Sequence, residues 1–228
     1  MNSEPAGKPA ARRNLLSKEL VLRTAVALAD EAGTDVPSMR RLGDRLGVES
    51  MSLYHHFRSK DMILDGMVDI VFGEIEFPPD DVDWRMAMRR RAVSLRDALI
   101  RHPWAIRLMD SRQNPGPATL RHHNAAIGCL RSGGFSIAGA AHAISVLDSY
   151  TYGFTIQELS LPFRSSAELE DVAGSIVKQL TPDEFPHLTE MIADRALKPG
   201  YAYDEEFDIG LDLILDGLER RRESWAQN

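Results

Sequence analysis

One turn constrains this chain more than any other stretch. Residues 36–60 read VPSMRRLGDRLGVESMSLYHHFRSK. Gly47 divides two apolar-patterned segments there, at a point where a backbone that changes direction gains most from a residue without a Cβ. The spacing predicts a short helix from Ser38 to Leu46 and a second from Ser50 to Phe57, with Leu42, Leu46, Val48, Leu53 and Phe57 forming the inward faces. The other side of the second helix is small, polar or imidazole: Ser50, Ser52, Tyr54, His55 and His56. Arg40, Arg41, Arg45, Arg58 and Lys60 frame it with positive charge. Such a helix suits a DNA major groove, because short side chains let the backbone come close and polar tips reach base edges.

The flanking sequence extends this pair into a head. Ser17 is the expected N-cap of a helix carrying Leu20, Val21, Ala25, Leu28 and Ala32 on one face and stopped by Gly33. A further helix is expected from Lys60 to Ile75, with Ile63, Leu64, Met67, Ile70 and Val71 along one side, ended by Pro78-Pro79-Asp80-Asp81. It is long enough to leave the head and enter the rest of the molecule. Residues 1–16 read as an arm rich in Pro, Ala and Gly. Lys8, Arg12 and Arg13 suit contact with phosphate or a minor groove, and the competing reading is a plain tail.

The remainder reads as all helix. Trp84 to Arg101 is one segment, ended by His102-Pro103, and a short piece from Trp104 to Asp110 follows. After a loop from Ser111 to Pro117 come Ala118 to Arg131, closed by Gly133-Gly134, and a long helix from the Ser136 cap to Leu159. Further helices are expected over Ala167 to Lys178, Pro182 to Leu197 and Asp204 to Arg222. The fold class is therefore all-α, organised as a DNA-binding head over residues 1–61 and a body over 62–228.

Charge distribution supports the division. The chain of 228 residues carries a net charge of −7, which on its own argues against nucleic acid. Residues 1–60 hold a balance of +3, however, and residues 61–228 one of −10. A basic head on an acidic body is consistent with one DNA-binding end. No apolar run approaches the roughly 18 residues of a membrane span, and the first residues lack the apolar stretch of a secretory signal. The single cysteine, Cys129, excludes an internal disulfide framework and fits a reducing compartment. A cytoplasmic protein without a membrane partner is expected.

The segment from Leu16 to Phe72 resembles the DNA-binding domain of the TetR family of bacterial repressors. The resemblance rests on Ala29-Asp30-Glu31-Ala32-Gly33, Met39-Arg40-Arg41-Leu42, Leu46-Gly47-Val48, Ser52-Leu53-Tyr54-His55-His56-Phe57 and Ser59-Lys60-Asp61. It implies that Ser50, Met51, Ser52 and His55 face bases. Tyr54, His56 and Lys60 would contact the DNA backbone, helped by Ser38 and Arg40. The competing reading of His55 and His56 is ordinary surface imidazole. More loosely, Gly134-Phe135-Ser136, Thr151-x-Gly153 and Phe207-x-x-Gly210-Leu211-Asp212 resemble the tetracycline-repressor type of C-terminal domain. That implies a homodimer in which helices 136–159 and 204–222 join their copies in a four-helix bundle, with Ile144, Leu147, Phe207, Leu211, Ile214 and Leu218 at the interface. Both helices are apolar all round, which independently suggests a buried partner face.

The same resemblance implies a small-molecule cavity in the body. Inward candidates are Arg91, Leu95, Met109, His123, Ile127, Asp148, Tyr152 and Ile156, with core packing or dimer contact the competing role of each. Tetracycline-binding members hold a drug–magnesium chelate with a His before the Pro-rich loop. Here Leu108-Met109-Asp110-Ser111-Arg112 has none, the later His of that site falls at Ser149 and its Glu near Gln157. No tetracycline–magnesium site, no zinc site and no cofactor are expected. G-x-S-x-G, P-loop and HExxH signatures are missing, so no catalysis is expected either. The expected function is a transcriptional regulator on a palindromic operator, a repressor by default, released by a small-molecule effector. The competing class is an all-helical binding or catalytic protein with a vestigial head, which would keep its function when Tyr54 and Lys60 are replaced.

Overall fold

A computed structural model describes residues 16–76, 82–181 and 183–226. The expected arm up to Leu15, the Pro78–Asp81 loop and Pro182 lie outside the described residues. Among those described the fold is all helix: α1 Lys18–Ala32, α2 Met39–Leu46, α3 Ser50–Leu53, α4 Lys60–Glu74, α5 Trp84–Arg101, α6 Pro117–Ser132, α7 Ile137–Ser160, α8 Ser166–Val177, α9 Pro186–Met191 and α10 Glu205–Ala226. A 3-10 turn, Pro103–Arg107, follows α5, and a π turn, Ile192–Ala196, follows α9.

Local chemistry sets most of these limits. Ser17, Ser38, Ser59, Asp83, Ser136 and Ser165 each cap a helix through the side-chain oxygen, a contact worth about 1 kcal/mol. Three expected limits move by four residues, among them the end of α10, which runs to Ala226 rather than Arg222. The helix expected over 50–57 is α-helical only to Leu53. The amides of Tyr54, His55 and His56 then bond to Met51, Ser52 and Leu53 carbonyls in the tighter three-residue pattern that often closes a helix end. The helix expected from Pro182 begins at Pro186, because the amides of Glu184 and Phe185 both turn back to the Thr181 carbonyl and Pro186 then supplies a preset first helical position.

Two apolar cores carry the fold. The first joins α1, α2, α3 and α4 to Leu95, Ala98 and Leu99 of α5 and to Trp104, Ala105 and Met109 beyond it. It runs without a break from head to body. Polar contacts reinforce that seam: Asp30 Oδ1 of α1 accepts from Trp104 Nε1 at 2.7 Å and lies 2.7 Å from His102 Nδ1, while His102 Nε2 lies 3.1 Å from Glu74 Oε2 of α4. The second core packs the first half of α5 with α6, α7 and α10 around Met88, Leu130, Phe135, Leu147, Phe207 and Leu211.

The second core takes up four of the six expected dimer contacts. Leu147, Phe207, Leu211 and Leu218 are buried within the single chain. Ile144 and Ile214 are half-buried and pack against the same core. The physical reason is that α7 and α10 each have two apolar faces, and these residues occupy the face turned inward. The outward faces carry Val146 and Ile156 on α7, and Ile209 and Leu213 on α10. No helix among the described residues is long and apolar enough to cross a membrane.

Candidate nucleic-acid interface and effector cavity

The turn between α2 and α3 is built as its sequence predicts. Gly47 takes the left-handed conformation, with φ 68° and ψ 32°, and its N–H donates to the Asp44 and Gly43 carbonyls. Gly43 has a role that apolar spacing did not announce. A Cβ on it would stand 2.8 Å from the Val48 carbonyl oxygen and 3.2 Å from the Ser50 nitrogen, so α2 and the start of α3 touch backbone to backbone. A glycine inside an eight-residue helix costs about 1 kcal/mol relative to alanine. That cost was the available signal of a close neighbour.

This packing leaves one side of α3 in solvent. Met51 is 69% exposed and Tyr54 40%. His55 is exposed, and Ser50, Ser52 and His56 are half-buried while Leu53 and Phe57 point into the core. Ser38 Oγ accepts from the Arg41 amide at 3.2 Å, so its hydroxyl caps α2 at the exposed start of that helix. Arg40, Arg41, Arg58 and Lys60 are exposed. Arg45 is different: its guanidinium forks onto Glu31 at 2.9 and 2.7 Å, which neutralises it and pins α2 to α1. Of the expected DNA-facing set, Ser38, Arg40, Met51, Tyr54, His55 and Lys60 are thus exposed, and Ser50, Ser52 and His56 half-buried.

Helix α4 ties this surface to the body. Asp61, Asp65 and Asp69 recur every four residues on one of its faces. Arg112 Nη2 donates to Asp61 at 2.8 Å and Arg112 Nε to Asp65 at 2.7 Å. Asp69 Oδ1 accepts from the Thr119 amide at 2.8 Å and the Thr119 hydroxyl at 3.0 Å. The loop before α6 and the first turn of α6 are thereby fastened to the helix that leaves the head.

The body holds a buried polar knot. Arg91, 1% exposed, donates from Nη1 to Asp148 Oδ1 at 2.6 Å, from Nη2 to Asp148 Oδ2 at 3.2 Å and from Nε to His122 Nε2 at 2.9 Å. His122 therefore presents its Nε2 lone pair to the guanidinium. Its pKa falls from 6.5 to about 3, first because of burial, then because of the positive charge of Arg91. Tyr152, half-buried against the first core, has its phenol pushed well above the ordinary range, by burial first and then by the charge of Asp148.

Beside this knot a half-open cavity of about 590 Å³ lies between α6 and α7, within the ~300–1,000 Å³ range of small-molecule sites. Its polar wall is Asp110, His123, Ser145, Asp148 and Ser149; its apolar wall is Ile127, Ile137, Ala141 and Ile144. The structure brings together three of the expected ligand residues here, His123, Ile127 and Asp148, with Arg91 one layer behind. Leu95 and Met109 instead pack in the first core. Ile156 is 49% exposed and does not line the cavity. The spacing of Ile137, Ala141, Ser145 and Ser149, four residues apart on α7, was legible as one helix face but not as a wall, because what it faces is set by how α6 packs. Among the described residues no group of three His, Cys, Asp or Glu side chains is arranged to hold a metal ion.

Comparison with known proteins places this combination of an exposed short helix and an all-helical body. Residues 77–222 match the model of the tetracyclin repressor-like C-terminal domain, and residues 21–67 that of bacterial regulatory proteins of the tetR family. The chain belongs to the TetR family. An HTH-type transcriptional regulator of Saccharopolyspora erythraea is 34% identical over 212 residues, 92% of this chain and 88% of its own. The class C tetracycline repressor protein of Escherichia coli is 29% identical over 92% of this chain and 93% of its own. The crystal structure of ActR, a TetR family protein of Streptomyces coelicolor in complex with actinorhodin, is similar with a TM-score of 0.74 at 28% identity, over 90% of this chain and 97% of that one. This TetR-family member is a DNA-binding transcriptional regulator.

Proposed function

We propose that this regulator reads its operator with Ser50, Met51, Ser52 and His55 and holds phosphates with Tyr54, His56, Lys60, Ser38 and Arg40. The observation that carries the reading is the exposed face of α3, set between cations that are exposed beside it. Two copies meet through the outward faces of α7 and α10, at Val146, Ile156, Ile209 and Leu213, and present two heads to successive major grooves of a palindrome. The effector enters the cavity between α6 and α7; the similar ActR was crystallised in complex with a small molecule, actinorhodin. Its occupancy shifts the 1–61 head on the 62–228 body through α4 and the Arg112 ties. Release requires that the effector prefer the state that does not fit the operator. The protein is a cytoplasmic repressor that works by binding, without turnover.

Selection of bound duplexes from a randomised palindromic pool supplies the operator for the test. Removing one phosphate contact lowers the slope of log affinity against log salt by about 0.9. Lys60→Ala, acting in two heads, is expected to lower it by roughly 2, with little change in sequence preference. Ser52→Ala should instead alter preference and leave the slope alone. An unchanged slope for Lys60→Ala together with an unchanged affinity for Tyr54→Phe would remove these residues from the interface.

A further inference from the structure

We propose that the cavity between α6 and α7 selects an organic cation: a drug-sized molecule whose apolar part lies on α6 and α7 and whose protonated amine seats against Asp110. This inference rests on the reading of that cavity as the effector site and adds to it the charge of the ligand.

The charges around the cavity do not balance. Arg91 and Asp148 cancel, because both guanidinium Nη atoms already bond to the Asp148 carboxylate. The Arg91 fork is thus occupied and offers nothing to an incoming anion. His122 is held neutral behind the wall, and His123 on the wall is biased the same way, by burial first and then by the charge of Arg91. Asp110 remains. It stands in the turn before α6, lines the cavity, and makes no ion pair among the described residues. Asp110 is itself exposed, but the protein packed beside it, and then the negative charge of Asp148, raise its carboxyl above the ordinary value, with His123 opposing. A carboxylate without an ion-pair partner, set in one cavity wall with a second, buried carboxylate, is stabilised by an incoming cation and destabilised by an incoming anion.

The rest of the cavity fits the same ligand. Ile127, Ile137, Ala141 and Ile144 supply an apolar wall, with Ile137 65% exposed near the mouth. These residues add affinity without regard to charge, so the sign of the preferred ligand is decided at Asp110. Ser145 and Ser149 add neutral hydrogen-bonding groups that orient a ligand but do not choose its charge.

The test uses the full-length protein without DNA and three fluorescent probes with related fused-ring bodies: rhodamine 6G, a cation; fluorescein, an anion; and Nile red, which is neutral. Binding is followed by fluorescence anisotropy. Rhodamine 6G is expected to bind at least about tenfold more tightly than fluorescein, a difference of one charge-assisted contact. Asp110→Asn should remove about that factor for rhodamine 6G only, and Asp110→Glu should retain it. Ser145→Trp, an exposed position that fills the cavity, should abolish both rhodamine 6G and Nile red binding, with unchanged circular dichroism as the folding control. Equal affinities for the two charged dyes, or rhodamine 6G binding indifferent to Asp110→Asn, overturn the charge inference. If Nile red binding still disappears in Ser145→Trp, the cavity reading survives that outcome. If no probe binds, or Ser145→Trp changes none of them, the cavity reading and the charge inference fall together.

Discussion

Replacing Asp148 by asparagine isolates the cost of stranding one buried charge. Arg91 is 1% exposed, and two of its donors end on the Asp148 carboxylate at 2.6 and 3.2 Å. Asparagine keeps the shape but offers a single neutral oxygen, and its amide hydrogens would point at the guanidinium. Breaking one side of a buried ion pair costs about 3–5 kcal/mol. For a chain of 150–250 residues each kcal/mol moves the melting temperature by about 2–4 °C. The melting temperature of Asp148→Asn should therefore fall by roughly 6–20 °C. Circular dichroism melts at one fixed chain concentration give the measurement, since the stability of a dimer depends on concentration. The double variant Arg91→Met/Asp148→Leu removes both charges and is expected to recover much of the stability, because apolar replacement of a whole buried pair is often neutral or better. A drop below about 2 °C for the single variant, or a double variant less stable than the single one, would refute the view that the pair is a matched buried charge.

Three further outcomes are expected. Gly43→Ala should destabilise the head despite alanine's better helix propensity, by about 1–3 kcal/mol, because the new Cβ meets the Val48 carbonyl at 2.8 Å; faster hydrogen exchange of α2 and α3 amides is the readout, and a more stable head would contradict the close approach. Leu213→Glu, at a position 67% exposed in the single chain, should leave the fold intact and shift sedimentation from dimer to monomer; an unchanged dimer would move the interface elsewhere. His122 gives a pH dependence: the unfolded chain takes up its proton near 6.5, whereas the folded protein resists until about 3. Its contribution is complete above pH 6.5 and disappears as the pH falls towards 3, so urea unfolding at pH 7, 5.5 and 4.5 should show a shallower decline for His122→Gln than for the parent.

Where the sequence carried a local signal, the structure followed it closely. Trp84–Arg101 is helical to the residue, because an aspartate cap and a His-Pro stop bound it. Gly47 adopts the predicted turn because few residues other than glycine suit it. The exposed face of α3 was equally readable, since Leu53 and Phe57 turn the apolar side inward. The cavity was legible only in part: His123, Ile127 and Asp148 lie on two helices whose pairing no local pattern specifies, and Asp110 reaches them from a turn. Four of the expected dimer contacts, Leu147, Phe207, Leu211 and Leu218, are buried inside the chain for a related reason. Hydrophobic spacing on α7 and α10 marks both faces alike, and only the packing of α5 and α6 decides which one is consumed inside the chain.

The unbroken first core has a practical consequence for anyone wishing to graft this reader onto another sensor. A splice at residue 61 would part Val21, Leu28 and Phe57 from Leu95, Leu99 and Trp104, which belong to the same apolar cluster. A working chimaera would have to carry the second half of α5 and the 3-10 turn along with the reader, or rebuild their counterparts in the recipient. Asp30 would have to travel with an indole and an imidazole to meet it. Interchangeable specificity in this molecule is thus bounded by packing rather than by the order of its segments.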